Sequence, residues 1–276
     1  MFSTSTNDGL LSNNAIRLPS AAIYVHWGFS EPVGIMEWDL TVHVDPGDSV
    51  GEYLALFNGT IDGSACYLGL QTDIIHPDGY YGVGKGLIFS TWWSFDANDT
   101  RVAADGFLEL GTHEGRFVGI RRPYEWTGGD YRVALSRAGA ELVGDRLTDW
   151  FDLTIEPLGQ ITVGEDRPSP IGPRYWIGAI RFPRRRPQVA AAIEPGGLMF
   201  IEVYSGAFTW ADVAPWQVDV MAYANGVPCA SGTTEYPRPY GKHVPGASVR
   251  YDAARSRIDL KLGFEGVPQD PPGTWP

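Results

Sequence analysis

Three runs of sequence decide the fold: CYLGLQTD (66–73), GLIFSTWW (86–93) and EGRFVGIRRPYEWTGGDYRVAL (114–135). Aromatic and β-branched residues are dense in all three runs, and turn-forming residues are frequent between them. Such side chains suit the pleated surface of a sheet, whereas Gly and Pro interrupt helices. The stretch from residue 66 to residue 135 therefore predicts several antiparallel strands joined by turns.

The same pattern continues on both sides of this stretch. Between residues 34 and 44 apolar and polar side chains alternate, which is typical of a strand with one buried face. Turn compositions occur at Asp45–Asp48, Asn58-Gly59 and Asn225-Gly226, and a helical turn is an alternative within residues 138–149. The predicted strands cover residues 21–27, 34–44, 52–58, 66–71, 87–93, 116–120, 131–136, 150–156, 174–182, 198–204, 216–224 and 258–262. Together they predict an all-β fold, an antiparallel β-sandwich of jelly-roll, lectin-like type with additional C-terminal strands.

Length and composition favour one domain. A sandwich of about 200–250 residues commonly folds as a single unit, so we expect residues 1–276 to form one. A subdivision near residues 164–173, which are rich in Pro and charge, is the alternative. The Pro-rich tail at 267–276 is expected to lie on the surface.

The charge balance excludes two classes of partner. The net charge of −12 argues against general binding to nucleic acid or to an anionic membrane, because both require a cationic surface. No apolar run approaches the roughly 20 residues that span a bilayer, so no membrane insertion is expected. The first residues lack a recognisable signal peptide, and the sequence leaves the compartment open.

The two cysteines, Cys66 and Cys229, are too few for a disulfide scaffold. We expect free buried thiols. A bridge between them is the alternative if the C-terminal strands pack beside the central ones.

Several short motifs occur in a characteristic order. They are Tyr67-Leu-Gly-Leu-Gln71, Phe89-Ser-Thr-Trp92, Glu114-Gly115, Tyr124-Glu-Trp126 and Gly129-Asp-Tyr131. In this order the chain resembles domain-of-unknown-function family 3472 over roughly residues 34–204. The resemblance implies a secreted or surface-associated bacterial β-sandwich that often lies beside carbohydrate-processing modules. It implies no established reaction.

The aromatic excess suggests a sugar-binding surface. Aromatic residues make up 13% of the chain, with ten Trp, and sugars stack their C–H faces on such rings while Arg and carboxylate groups hold the hydroxyls. Trp92 and Trp93 are adjacent on a predicted strand and must point to opposite faces, so one is expected in the core and the other is a ligand platform. The residues predicted to contact a glycan are Tyr80, Tyr81, Trp93, Arg121, Arg122, Trp126 and Asp130. The leading hypothesis is therefore a carbohydrate-binding, lectin-like protein.

Two further classes remain open. A glycoside hydrolase needs two carboxylates across a cleft, for which Glu114 is the best candidate. A polysaccharide lyase would use His113 and Tyr124 for proton transfer while Arg121 or Arg122 neutralises the substrate carboxylate. A structural or assembly protein, with edge strands as interfaces and an oligomeric state, fits the composition as well.

Metal chemistry has little support. The five His residues are scattered without metal-binding spacing, so no metal or other cofactor is predicted. A structural calcium ion at Asp45–Asp48 or Asp96–Asp99 is a weaker alternative to ordinary turn chemistry. The run Arg181-Phe-Pro-Arg-Arg-Arg186 is either an anion site or a solvated hairpin tip.

Overall fold

The computed structural model describes residues 16, 18–74, 84–112, 115–160, 167–207, 209–229, 231–236, 246–253, 256–266 and 273–275. These residues form eighteen strands and two short 3₁₀ turns, Ala97–Asp99 and Trp210–Asp212. The strands are β1 (Ser20–Gly28), β2 (Ile35–Val44), β3 (Gly51–Ile61), β4 (Ser64–Gln71), β5 (Gly86–Thr91), β6 (Thr100–Val102), β7 (Phe107–Gly111), β8 (Phe117–Pro123), β9 (Gly129–Val143), β10 (Arg146–Pro157), β11 (Tyr175–Pro183), β12 (Gly197–Ser205), β13 (Trp216–Ala224), β14 (Val227–Pro228), β15 (Ser231–Glu235), β16 (Ser248–Asp252), β17 (Arg257–Leu262) and β18 (Thr274–Trp275).

The strands form two sheets of nine. The first sheet has the order β18-β15-β1-β12-β3-β4-β5-β8-β7, and the second has the order β16-β17-β13-β2-β9-β10-β11-β6, with β14 paired to β13. Every strand pairing is antiparallel. In the described part of the chain, no helix is long and apolar enough to cross a membrane. The all-β sandwich with additional C-terminal strands is confirmed, whereas its jelly-roll form stays a prediction.

A continuous core lies between the two sheets. Phe57 of β3 contacts Trp38 of β2 at a ring centroid distance of 6.1 Å, and Phe89 of β5 stacks on Phe182 of β11 at the same distance. All four side chains are fully buried and belong to one apolar cluster. Burial of a large apolar side chain contributes about 1.5–3 kcal/mol, so these contacts between the layers hold the sandwich together.

Alternation along each strand gives the first sheet a second, outward face. In β4, Cys66, Leu68 and Leu70 belong to the core between the sheets, whereas Tyr67 packs against a separate small cluster with Tyr53 of β3. Successive side chains of a strand point to opposite faces. The residues that alternate with the core therefore form an outer surface across the first sheet.

The hairpin joining β3 to β4 turns later than predicted. A turn at Asn58-Gly59 was the expectation, but β3 continues to Ile61 and the chain reverses at Asp62-Gly63, with φ of 44° and 77°. Positive φ at both central residues is the requirement of the tightest hairpin turns, and Asp-Gly meets it as well as Asn-Gly does. The prediction at Asn225-Gly226 is confirmed, with φ of 49° and 79° between β13 and β14.

Residues 138–149 contain no helical turn. They form the facing ends of β9 and β10, which pair from Arg146 with Val143 as far as Pro157 with Tyr131. The reversal lies at Gly144, with φ of 61°. Long pairing along two strands outweighs the weak helical tendency of this segment, since strand propensity depends on the neighbours.

Both cysteines are free and buried, as expected. Cys66 lies in β4 and Cys229 follows β14. Burial raises the pKa of both thiols, that of Cys229 to about 11. A protonated buried thiol is a poor nucleophile, so the two residues act as small apolar side chains.

Candidate functional site

The predicted site residues do not converge on one place. Tyr80, Tyr81, His113 and Glu114 lie outside the described residues. The others occupy the core, the edge between the sheets, and the outer faces of both sheets.

Trp126 lies in the core. Its side chain is fully buried and stacks on Trp216, with ring centroids 5.3 Å apart and an interplanar angle of 13°. The Lys85 ammonium lies 4.5 Å from the centre of the Trp126 ring, donates to the Trp126 carbonyl and pairs with Asp45. Because this arrangement leaves no face of Trp126 for a sugar, the prediction that it contacts a ligand is wrong.

Trp92 and Trp93 follow the end of β5 and point to opposite sides. Strand β5 ends at Thr91, so the predicted strand to Trp93 is two residues too long. Trp93 packs against the main core, and its indole N–H donates to the Arg181 carbonyl at 2.9 Å. Trp92 lies on the outer side, 4.9 Å from Tyr67 between ring centroids. The opposite orientation is as expected, but the assignment of Trp93 as the platform is wrong, because it is Trp92 that faces outward.

Arg121 and Arg122 also diverge, because they are neighbours in β8. The Arg121 guanidinium lies on the outer face of the first sheet, where its Nε donates to Glu109 at 2.8 Å and its Nη1 donates to Gln71. Arg122 points the other way and donates to Asp105 at 2.6 Å. Only Arg121 is placed beside outward aromatic side chains.

Arg122 belongs instead to the sheet edge that holds Tyr124. Its guanidinium carbon lies 3.6 Å from the centre of the Tyr175 ring, and the Tyr124 ring lies 5.2 Å from that of Tyr175. Tyr175 also donates to Asp105 at 2.8 Å. Burial raises the pKa of the Tyr124 hydroxyl. These contacts fix both predicted residues, Arg122 and Tyr124, in a packed cluster.

Asp130 lies on the outer face of the second sheet. It accepts a hydrogen bond of 2.6 Å from Thr41, and Thr41 accepts one of 2.9 Å from Arg257. The register pairs Asp130 with Thr41 across β9 and β2. Asp130 is therefore separated from Arg121 by the full thickness of the sandwich.

Six rings that cross the outer face of the first sheet form the best candidate site, which we call the aromatic belt. The belt runs from β1 through β12, β3 and β4 to the end of β5 and to β8. Successive ring centroids lie 6.2, 5.7, 5.7, 4.9 and 6.3 Å apart. Its members in spatial order are Tyr24, Phe200, Tyr53, Tyr67, Trp92 and Phe117.

The belt has two buried members and four that reach solvent. Tyr53 and Phe117 are 3% and 1% exposed, whereas the other four rings are partly exposed. Aromatic pairs at these separations stabilise each other by about 0.5–1.5 kcal/mol beyond their burial. The buried rings therefore support the four exposed ones in fixed positions.

Polar side chains line one side of the belt. Arg121 joins Gln71 and Glu109 in a hydrogen-bonded cluster, and Arg121 and Gln71 are both buried. Nearby, the Tyr204 hydroxyl donates to the Asp73 carbonyl at 2.6 Å. Fixed donors and acceptors beside an apolar surface are the combination found in ligand sites.

Tyr53 carries an unusual hydroxyl. This oxygen is buried and has no hydrogen-bond partner among the residues that the structure describes. Burial, together with Tyr67 and Glu202, raises the pKa of Tyr53 well above its ordinary value. An unpaired buried hydroxyl lowers the free energy of unfolding by about 1–3 kcal/mol. The Tyr53 hydroxyl therefore destabilises the folded protein at the centre of the belt.

The second sheet presents a different outer face, made of paired charges. Asp39 is fully buried and accepts from Arg132 at 2.7 Å and from Arg167 at 3.0 Å. Further along this face, a pocket of about 160 Å³ is lined by charged side chains that include the His43–Asp219 pair, joined at 3.0 Å. The carboxylates and cations named here therefore pair largely with each other.

The two loops weighed for calcium use their carboxylates internally. Asp45 pairs with Lys85 and accepts from the Gly47 amide at 2.8 Å. Asp96 accepts from the Asn98 amide, and Asp99 accepts from Arg181 at 2.9 Å. No group of three or more His, Cys, Asp or Glu side chains suited to a metal ion occurs in the part of the chain described above.

The arginine run at 181–186 is also engaged by carboxylates. Arg181 pairs with Asp99, and Arg184 donates to both oxygens of Asp149 at 2.7 and 2.8 Å. Arg185 pairs with Glu194 at 3.1 Å. The guanidinium groups of Arg181, Arg184 and Arg185 are therefore paired with carboxylates of the protein, whereas Arg186 is exposed.

None of the six belt rings was among the residues predicted to contact a glycan, although Tyr67, Trp92 and Phe117 lie within residues 66–135. Tyr53 lies in β3, which forms a hairpin with β4, whereas Tyr24 and Phe200 are distant in sequence and only strand order brings them to the belt. The available signal was alternation: Tyr24 stands between Ile23 and Val25, and Phe200 stands between Met199 and Ile201. An aromatic residue at the outward position of a strand is a candidate surface platform.

Comparison with known proteins does not identify a family for this chain. No protein-family model matches the chain, and no curated protein matches it significantly. The resemblance described above therefore rests on its motifs alone. In the structure, the first motif forms β4 and the second ends at Trp92, so both contribute a ring to the aromatic belt.

Proposed function

We propose that the protein binds a glycan on the aromatic belt. The observation that supports this proposal is the unbroken series of six rings across the outer face of one sheet, with four rings partly exposed. Partly exposed aromatic rings that form one series on a sheet face are a common feature of ligand-binding grooves. Sugar rings offer apolar C–H faces that match such a surface.

The neighbouring polar cluster supports a sugar over a purely apolar ligand. Arg121, Gln71 and Glu109 hold one another at fixed positions, and Glu109 stays partly exposed. A carboxylate oxygen can accept from a sugar hydroxyl while Arg121 holds it in place. The motif resemblance implies a secreted or surface-associated β-sandwich that often lies beside carbohydrate-processing modules, which agrees with a glycan ligand.

The proposal is limited to binding. Of the three residues considered for catalysis, His113 and Glu114 lie outside the described residues, and the third, Tyr124, packs between Tyr131 and Tyr175. A Tyr that removes a proton works best when its pKa is lowered toward the working pH. Burial raises the pKa of Tyr124, which opposes a role as a base.

A glycan array followed by isothermal titration calorimetry tests the proposal. We expect the wild-type protein to bind at least one glycan, and Tyr67→Ala and Trp92→Ala each to weaken that binding about ten-fold, equivalent to about 1.4 kcal/mol. Leu142→Ala is the matched control, because Leu142 is 65% exposed on the second sheet. A folded protein that binds no glycan, or belt variants that bind like the control, would contradict the proposal. Light scattering that shows a defined oligomer without glycan affinity would favour an assembly role.

A further inference from the structure

The belt has a direction, which lies across the strands. Tyr24 and Phe200 are direct partners in the register of β1 and β12, and Phe200 is paired with Ala55, two residues from Tyr53 in β3. Tyr67 follows in β4, next to β3. Each ring contact therefore passes from one strand to its neighbour, and the series does not run along a single strand.

The length of the belt exceeds one sugar. From β1 to β8 the series makes five steps between neighbouring strands, and each step is about 4.8 Å, so the belt spans roughly 24 Å. One pyranose unit of an extended chain is about as long as one such step. The belt therefore offers room for a chain of about five units.

The exposed rings are spread along this length. Tyr24 and Phe200 lie at one end, whereas Tyr67 and Trp92 lie toward the other. The belt therefore offers separate aromatic contacts along its length and does not gather them at one point for a single sugar unit.

Charge on this face disfavours an acidic ligand. Glu202 lies two residues after Phe200 in β12 and is paired with Tyr53 in the register. Glu235 of β15 is paired with Tyr24 of β1. The Arg121 charge is already neutralised by Glu109 at 2.6 Å. Like charges oppose association, and the basic side chains Arg121 and His26 on this face already contact Glu109 and Glu235, so a uronate or sulfate group is disfavoured here.

We infer that the aromatic belt binds an extended, neutral glycan chain that lies across the strands of the first sheet. The inference rests on the proposed function and narrows it to a class of ligand. Binding then requires several consecutive sugar units, since each exposed ring contacts a different unit. A free monosaccharide engages one ring and binds weakly.

Calorimetry with oligosaccharide series tests this inference. The probes are glucan, xylan, mannan and galactan oligosaccharides of one to six units, with oligogalacturonates of the same lengths as the acidic comparison. For the neutral series that binds, we expect the affinity to rise at least about ten-fold from two units to five and then to level off. The oligogalacturonates are expected to bind more weakly at every length.

Variants at the two ends of the belt sharpen the test. With a hexasaccharide, Tyr24→Ala and Trp92→Ala are each expected to weaken binding about five- to ten-fold. With a disaccharide, at most one of the two variants has an effect, because a short chain cannot reach both rings. Circular dichroism verifies that each variant is folded.

The outcomes separate the two claims. Equal affinity for a disaccharide and a hexasaccharide, or tighter binding of oligogalacturonate, would overturn the inference while leaving glycan binding intact. Wild-type affinity for the hexasaccharide in both Tyr24→Ala and Trp92→Ala would also overturn it. Absence of binding to every probe would overturn the proposed function and the inference together.

Discussion

The rings of Trp92 and Tyr67 lie 4.9 Å apart on the outer face of the first sheet, at an angle of 40°. Phe117 extends the contact on the far side of Trp92 at 6.3 Å. Trp92 is therefore held from two sides while part of its indole remains exposed. Its neighbour Trp93 lies on the inner side, so two consecutive residues of one type have separate roles.

This difference predicts that two similar substitutions have different effects on stability and on glycan binding. Trp93→Ala removes core packing and the hydrogen bond to the Arg181 carbonyl, and we expect it to lower the free energy of unfolding by about 3 kcal/mol. Trp92→Ala removes a partly exposed ring, so its effect on stability is expected to be about half as large, with the main loss in glycan affinity. Urea denaturation measures both, and a larger loss of stability for Trp92→Ala would show that the assignment of faces is wrong.

The buried carboxyl group of Glu52 is expected to make the stability of the protein depend on pH. Its side chain is fully buried in β3, one oxygen accepts from the Ala214 amide at 3.0 Å, and burial raises the pKa of Glu52 to about 8. The ordinary pKa of Glu is about 4.3. Between these values the unfolded chain loses a proton that the folded protein keeps, so stability is full below about pH 4.3 and declines as the pH rises through 8.

The test is Glu52→Gln, which keeps the shape and removes the ionisation. We expect this variant to lose the decline in the free energy of unfolding between pH 5 and 8, which is on the order of a few kcal/mol. Glu31→Gln, at an exposed position, is the control. An unchanged decline in Glu52→Gln would show that another group causes it.

We expect one substitution at Tyr53 to stabilise the protein. Tyr53→Phe keeps the ring contacts with Tyr67 and Phe200 and removes the unpaired buried hydroxyl. We expect the free energy of unfolding to rise by about 1 kcal/mol, seen as a higher Tm. Because the hydroxyl is buried, glycan affinity should stay within about two-fold of the wild type. A loss of stability would mean that the hydroxyl has a partner in solution.

We expect substitution of Asp39 to cause a large loss of stability. It is fully buried between the guanidinium groups of Arg132 and Arg167, each of which donates two hydrogen bonds to it. Asp39→Ala removes the buried carboxylate between the two cations and leaves them Glu37, 2.7 Å from Arg167 and 4.0 Å from Arg132. We expect a loss of about 3 kcal/mol in urea denaturation. Asp105→Ala, which removes an exposed partner of Arg122, should cost no more than about 1 kcal/mol. Equal effects would indicate that the Asp39 cluster is solvated.

Alternation along the chain predicted the twelve longer strands, because a half-buried strand repeats every two residues. Residues 34–44 and 216–224 match β2 and β13 closely. The strands β6, β7, β14, β15, β16 and β18 were missed, since each has five residues or fewer and too few positions for a pattern. Short strands of this kind are defined by their partners more than by their own sequence.

The site was harder to predict than the fold. Adjacent aromatic residues, such as Trp92 and Trp93, end on different sides of the sheet, and Trp126 from the same stretch lies in the core. Conversely, Tyr24 and Phe200 are far apart in sequence and in contact in space. Strand order decides which outward side chains meet, and a single sequence contains little information on that order.

The most direct test of the central claim is to identify which indole responds to a glycan. In a two-dimensional NMR titration with the neutral oligosaccharide that binds best, indole N–H signals are assigned by single Trp→Phe substitutions. We predict a shift of the Trp92 signal and none of the Trp126 signal, because Trp126 is stacked on Trp216 in the core. Shifts at Trp126 or Trp93 without one at Trp92, or no response to any glycan, would contradict a glycan site on the aromatic belt.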